Sequence, residues 1–203
     1  MIIKEACVET KKEIDLAFEK KMDRIELCSH LEVGGLTPSS EMLEYAINKK
    51  LNVIAMIRVN DNFQASADEV LQMKKQINDF CSTKVKGFAF GILTADNKID
   101  IKAIQELIKA CGDKEKVFHM AFDSLTQDKL KSIDELAELG INRILTKGGQ
   151  GKAIDNVDSL KAIYEYSKNK IEILAGGSVT NENYLEISAK TGIQQFHGRK
   201  LIF

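Results

Sequence analysis

Short apolar runs recur about every 25 residues along the chain, and nearly every one ends in a polar or soft side chain. The runs are Ile2–Cys7, Arg24–Cys28, Val53–Arg58, Gly87–Ile92, Val117–Asp123, Arg143–Lys147, Ile171–Ala175 and Gln195–Gly198. Each except the last precedes a helix-length amphipathic stretch. Strands alternating with helices of about ten residues predict a parallel sheet. Eight such units predict an α/β fold, a compact parallel (β/α)8 TIM-type barrel whose eighth helix is short or missing. No linker-like stretch interrupts the series, so residues 1–203 are expected to form a single TIM-barrel domain.

Local signals sharpen the element boundaries. Thr10 is placed to cap a helix through about Lys20, with Ile14, Ala17 and Phe18 on one face. The only proline, Pro38, stands where a helix over roughly Ser40–Lys49 would begin. The spacing predicts further helices near Ala67–Phe80, Ile101–Cys111, Gln127–Leu139, Val157–Ser167 and Glu182–Ala189. Gly112 and Gly140 follow two of them as C-cap signals. The fifth strand is expected over Val117–Phe122 and the sixth over Arg143–Thr146. A missing eighth helix would leave apolar surface between the first and seventh helices, so a homodimer or higher homo-oligomer is expected.

Composition changes the picture mainly by exclusion. Net charge is −1, with no basic block for nucleic acid. No apolar run approaches the roughly 20 residues that span a bilayer, and the N-terminus lacks the pattern of a secretory signal. The four cysteines show no C-x-x-C spacing. Reduced thiols and a cytoplasmic location are therefore expected.

Strand alternation decides which side chains meet. Ile3, Glu5 and Cys7 share one face of the first strand, and Arg24, Glu26 and Cys28 share one face of the second. Strand exteriors in this fold pack under helices and take aliphatics, so the polar sets should face the barrel axis. Glu5, Cys7, Glu26, Cys28, Arg58, His119 and His197 then converge, with Arg24 and Arg58 as partners for the buried carboxylates. Cys7 and Cys28 would end adjacent strands about 5 Å apart, close enough to bind one soft ion such as Cu(I). Met56, Met120 and His119 are further soft or imidazole donors nearby. Lone cysteines are also commonly small buried hydrophobes, and two neighbouring ones can form a redox pair.

A second chemistry fits the same rim. Glu26, Arg58, His119 and Asp123 are candidate catalytic residues, with Asp123 placed to orient His119 or to act as acid or base. Lys147-Gly148-Gly149 and Gly176-Gly177 follow neighbouring late strands, where glycine-rich turns let backbone N–H groups approach an anion. The rim therefore suits either a soft metal or a small anionic ligand.

The segments Glu5-Ala6-Cys7-Val8-Glu9, Arg24-Ile25-Glu26-Leu27-Cys28-Ser29, Gly34-Gly35-Leu36-Thr37-Pro38-Ser39, Met56-Ile57-Arg58, Phe118-His119-Met120-Ala121-Phe122-Asp123, Arg143-Ile144-Leu145-Thr146-Lys147-Gly148-Gly149 and Phe196-His197-Gly198 together resemble the CutC family. The resemblance runs in order over essentially the whole chain. It implies a barrel fold, a cytoplasmic copper homeostasis protein, and Cu(I) held by the cysteines at positions 7 and 28. The chain departs from the family pattern at the rim. Met120 stands where arginine is usual, Lys147 where serine is common, Ser178 where a third glycine is frequent, and Arg199 where serine is usual.

Two functions follow as expectations. One is copper handling through Cys7 and Cys28, assisted by His119. The other is a TIM-barrel enzyme (a lyase, isomerase or hydrolase) acting on a small anionic or phosphorylated metabolite, bound by Lys147, Gly148, Gly149, Gly176 and Gly177.

Overall fold

Eight parallel strands close on themselves in chain order in the computed structural model, which describes residues 1–203. The strands are β1 (Ile3–Val8), β2 (Arg24–Leu27), β3 (Val53–Met56), β4 (Gly87–Phe90), β5 (Glu115–Phe118), β6 (Arg143–Thr146), β7 (Glu172–Ala175) and β8 (Gln195–His197). The helices are α1 (Lys11–Glu19), α2 (Ser40–Asn48), α3 (Ala67–Cys81), α4 (Ile101–Cys111), α5 (Lys129–Glu138), α6 (Val157–Ser167) and α7 (Tyr184–Thr191). Pairing of Glu5 on β1 with His197 on β8 closes the ring.

Helix starts are written in short polar side chains. Thr10 and Glu13 form a reciprocal capping box at α1, and Ser66 and Glu69 form another at α3. Ser39, Asp100 and Asp128 cap α2, α4 and α5. Pro38 thus lies one residue before a cap rather than inside the helix, and its ring sets the extended entry to Ser39.

Apolar side chains divide into two layers. A cluster of 45 buried residues fills the shell between strands and helices. Ile54, Ala89, Val117, Leu145 and Leu174 form a separate cluster. They alternate along their strands with residues of the outer shell such as Ala55, Phe88, Phe118, Ile144 and Ile173, so they face the lumen. The β3–β7 side of the lumen is therefore dry. The β8–β1–β2 side is ionic instead, carrying Glu5, Arg24, Glu26 and His197, all buried.

Arg24 closes the ionic half from below by pairing with Glu5. Its other arm donates to Gln195 Oε1 at 3.0 Å, and Gln195 donates to Glu172 at 2.8 Å. Arg143 bridges Glu172 and Glu115 at 3.0 and 3.1 Å. The barrel base is thus a belt of charges, each compensated by a neighbour, as buried ions require.

One expectation needs correction and another is met. The fifth strand stops at Phe118, and residues Met120–Ser124 form a 3₁₀ turn instead of continuing to Phe122. The cause is local: the Ala121 backbone N–H donates to His119 Nδ1 at 3.2 Å, which curls the chain away from the ladder. The eighth helix is short, as expected: one 3₁₀ turn, Arg199–Leu201. Leu201 and Ile202 are buried, and the turn packs on β1. Phe18 on α1, Leu185 on α7 and the terminal Phe203 remain exposed.

Candidate functional site

The C-terminal ends of the strands open into a cavity of about 410 Å³. Cys7, Glu26, Met56, Arg58, His119, Met120, Asp123, Lys147 and His197 all line it. Two separate groups of side chains occupy its opposite sides.

The first group belongs to β1, β2 and β8. Cys7 sits opposite Glu26 in the β1–β2 ladder. Cys28 lies just beyond the end of β2, where its backbone N–H donates to the Val8 carbonyl at 2.9 Å. The two sulfurs are 4.0 Å apart, with no disulfide. Glu26 Oε2 is 3.8 Å from Cys7 Sγ and 3.6 Å from Cys28 Sγ. One donor atom from each of Cys7, Glu26 and Cys28 lies within 4.8 Å of the others. His197 adds a ring directly below, with Nδ1 2.9 Å from Glu5 Oε1 and Nε2 3.7 Å from Glu26 Oε2.

Protons in this group are unevenly shared. The hydrogen-bonding contact with Cys28, joined by the His197 imidazole, lowers the Cys7 thiol to about 5 despite burial. The same contact with Cys7, with burial behind it, raises Cys28 well above its ordinary value. Burial also pushes the Glu26 carboxyl up to about 8, against the attraction of His197. Burial opposes charge on Glu5 too, yet the His197 hydrogen bond and Arg24 bring it down to about 2. His197 is raised although burial disfavours its charge, because Glu26, Cys7 and Glu5 surround it. These directions favour charge on Cys7, Glu5 and His197 and a proton on Cys28.

That donor set fits a soft monovalent ion. Two thiolates with metal–sulfur bonds of about 2.3 Å span up to about 4.6 Å, and the observed separation lies inside that reach. Met56 and Met120 line the same cavity with thioethers. Sulfur ligands of this kind select Cu(I) over hard cations. An ion held here would displace the Cys28 proton, because ligating thiols bind as thiolates.

The second group belongs to β3, β5 and β6. His119 is buried, and Gly91, just beyond the end of β4, makes room for it, since a Cβ at Gly91 would lie 2.8 Å from its ring. Burial, followed by the nearby Arg58 charge, lowers the imidazole to about 3, so it is neutral. Its Nδ1 accepts from Ala121, and its buried Nε2 has no partner. His119 does not join the three-residue donor cluster formed by Cys7, Glu26 and Cys28.

Arg58 and Asp123 differ from their expected roles. Arg58 was expected to pair with a buried carboxylate; instead it donates to the carbonyls of Asn62, Val33 and Gly35 at 3.2 to 3.3 Å. Arg24 alone takes the carboxylate role, because β1 and β2 put it beside Glu5. Asp123 does not orient His119. The 3₁₀ turn swings it to β6, where it accepts from Thr146 Oγ1 at 2.6 Å and from the Lys147 backbone N–H at 3.0 Å. Burial raises its carboxyl in spite of those bonds.

Two of the four glycine N–H groups in the turns are already engaged within the protein. The Gly148 N–H donates to Thr146 Oγ1 at 2.9 Å, and the Gly176 N–H to the Thr146 carbonyl at 2.9 Å. The Asn156 side chain stands against Gly149, and Lys147 packs on Gly177. Of the five residues assigned to anion binding, Lys147 is the one that lines the cavity. Arg199 is also outside it, bound to Glu13 at 2.6 Å and Glu9 at 3.2 Å. Its replacement of serine therefore ties the end of β8 to the start of α1. His30 is an exposed loop residue 2.9 Å from Glu32, apart from the mouth.

Phe63 is a lining residue that periodicity could not find. Its ring centre lies 5.0 Å from the Arg58 guanidinium carbon and 5.3 Å from that of His119, with the two rings tilted by 49°. It lies in a polar loop, and its only sequence signal is an isolated aromatic among Asn60, Asp61 and Asn62.

Comparison with known proteins agrees with this architecture. The profile of the CutC family matches residues 2–202. A CutC family protein of Enterococcus faecalis is 37% identical over 209 residues, covering 99% of this chain and 100% of that one. A crystal structure named for the copper homeostasis protein CutC of Streptococcus agalactiae superposes with a TM-score of 0.93 at 38% identity, covering 99% of this chain and 100% of that one. An aldolase superposes with a TM-score of 0.73 at only 11% identity, covering 98% and 90%, which speaks to the shared barrel alone. With a family profile and relatives matching over its whole length, the chain belongs to the CutC family.

Proposed function

We propose that this protein binds Cu(I) through Cys7 and Cys28 and serves copper homeostasis in the cytoplasm. The observation that carries the reading is the 4.0 Å approach of two unbonded sulfurs at a cavity mouth. Cys7 is poised as a thiolate, so one ligand is ready without loss of a proton. His197 and Glu5 hold the charge beneath it in balance. The bound ion is cargo or sensed ligand. His119 is assigned no part in binding it. An anaerobic crystal structure with Cu(I) tests the reading. Anomalous density between the two sulfurs is expected, and density only elsewhere would refute it.

We infer a second reading from the cavity itself. At about 410 Å³ it is large for one ion and falls within the range of small-molecule sites. Its lining carries Glu26, Arg58, His119, Asp123 and Lys147. A lyase, isomerase or hydrolase acting on a small anionic or phosphorylated metabolite would use such a set. A thermal-shift screen of phosphorylated and carboxylated metabolites tests it, with at least one stabilising hit expected and a blank screen counting against it.

Assembly belongs to the same proposal. Phe18 on α1, Leu185 on α7 and Phe203 after the final turn are exposed. A second copy covering them would form a homodimer or higher homo-oligomer.

A further inference from the structure

The β3–β5–β6 side of the mouth contains an unused hydrogen-bond donor. His119 is 3% exposed. Its Nδ1 accepts the Ala121 N–H, so the proton of the neutral ring sits on Nε2. That Nε2–H has no partner in the protein. A buried donor left unmatched is costly, so a partner from outside the protein, a water, an ion or a ligand, is expected at it.

Two cations face the same cavity without carboxylate partners. Arg58 spends Nε and one terminal nitrogen on backbone carbonyls, makes no salt bridge, and has its other terminal nitrogen unengaged. Lys147 lines the cavity from the end of β6 and likewise makes no salt bridge. Phe63 touches both groups, its ring centre 5.0 Å from the Arg58 guanidinium carbon and 5.3 Å from that of His119, so the two are packed against one side chain before any ligand arrives. Two acids stand close by: Asp123, whose oxygens accept from Thr146 and the Lys147 backbone N–H, and solvent-exposed Asp61, whose charge also reaches Arg58; neither forms an ion pair with Arg58 or Lys147.

We propose that His119 Nε2–H, the unengaged arm of Arg58 and Lys147 Nζ form the seat of a small organic oxyanion. The head group is a carboxylate or phosphate. Phe63, Met120 and Leu145 provide an apolar wall for an uncharged body. The seat is separate from the paired sulfurs, and it rests on the second reading above, not on the copper reading.

The experiment uses metal-free, full-length protein labelled with 15N at histidine. Inorganic phosphate and acetate are titrated in separate arms at constant ionic strength while the His119 side-chain nitrogens are followed. One arm or both should shift the Nε2 resonance saturably, and the arm that saturates first identifies the head group. Lys147→Met should weaken that affinity about tenfold or more, since a charge-assisted bond is lost. Arg58→Gln should do the same, while Lys147→Met, at a half-buried rim position, guards against a loop-folding artefact. No saturable shift in either arm, or unchanged affinity in both variants, overturns the seat. Failure of the enzyme reading looks different: anions bind at His119, yet the metabolite screen stays blank. A metabolite hit that leaves the His119 nitrogens unmoved would overturn the seat while sparing that reading.

Discussion

The Cys28 backbone N–H donates to the Val8 carbonyl at 2.9 Å, and this one ladder bond carries the Cys28 sulfur to 4.0 Å from that of Cys7. Direct cross-strand register gives Cys7 a different partner, Glu26. The thiols therefore meet on a diagonal, with the Glu26 carboxyl beneath both. The result is an asymmetric pair in which only one sulfur is a ready nucleophile.

Cys7 should accordingly be alkylated far faster than Cys28 at neutral pH. A group held at about 5 is fully thiolate above that pH and protonates below it. The iodoacetamide rate at Cys7, read by peptide mass spectrometry, should fall only as pH drops through about 5. An inflection near the ordinary thiol value of 9 would contradict the assignment.

Glu5→Gln should destabilise the fold by about 3–5 kcal/mol, since removing one member of a buried ion pair strands the other. Glu5 faces both Arg24 and the His197 ring. Urea unfolding at pH 7 provides the measurement, and a loss below about 1 kcal/mol would mean that the charges relax into solvent.

Much of this was legible in the chain. The eight strands follow from the recurrence of apolar runs, and the inward parity of Glu5, Cys7, Arg24 and Glu26 follows from alternation alone. The bend after β5 was not, because it depends on His119 Nδ1 catching a backbone N–H two residues on. That contact moves Asp123 from His119 to Thr146. Arg58 was misread for a similar reason. Its carbonyl acceptors lie in loops around Val33 and Asn62, whose path no periodicity encodes. Sequence likewise does not reveal that Thr146 takes the Gly148 and Gly176 N–H groups or that Asn156 packs against Gly149.

His119 should also mark the acid limb of stability. Its folded value of about 3 lies below its unfolded value of 6.5, so the unfolded chain takes up the proton first. Its contribution is complete above pH 6.5 and is lost as pH falls from 6.5 towards 3, at up to about 1.4 kcal/mol per pH unit. The difference in unfolding free energy between wild type and His119→Gln should shrink over pH 6.5 to 4.5. A difference constant across that interval would show that the ring is not buried as a neutral base.

The exposed apolar residues on α1, on α7 and after the final turn bear on assembly. Light scattering of wild-type protein should report a dimer or larger species, and Leu185→Arg should shift it towards monomer. Leu185 is 57% exposed on the single chain, so the change carries little folding cost. A wild-type monomer at micromolar concentration would remove the oligomer from the account.

Equilibrium competition for Cu(I) against a chromogenic chelator, under anaerobic conditions, probes the paired sulfurs most directly. Wild-type protein should withdraw one ion per chain, and Cys7→Ser/Cys28→Ser protein should compete at least about a hundredfold more weakly, as expected when soft ligands are replaced by oxygen. Equal competition by the two proteins would contradict the account, because the ion would then be held somewhere other than between these thiols.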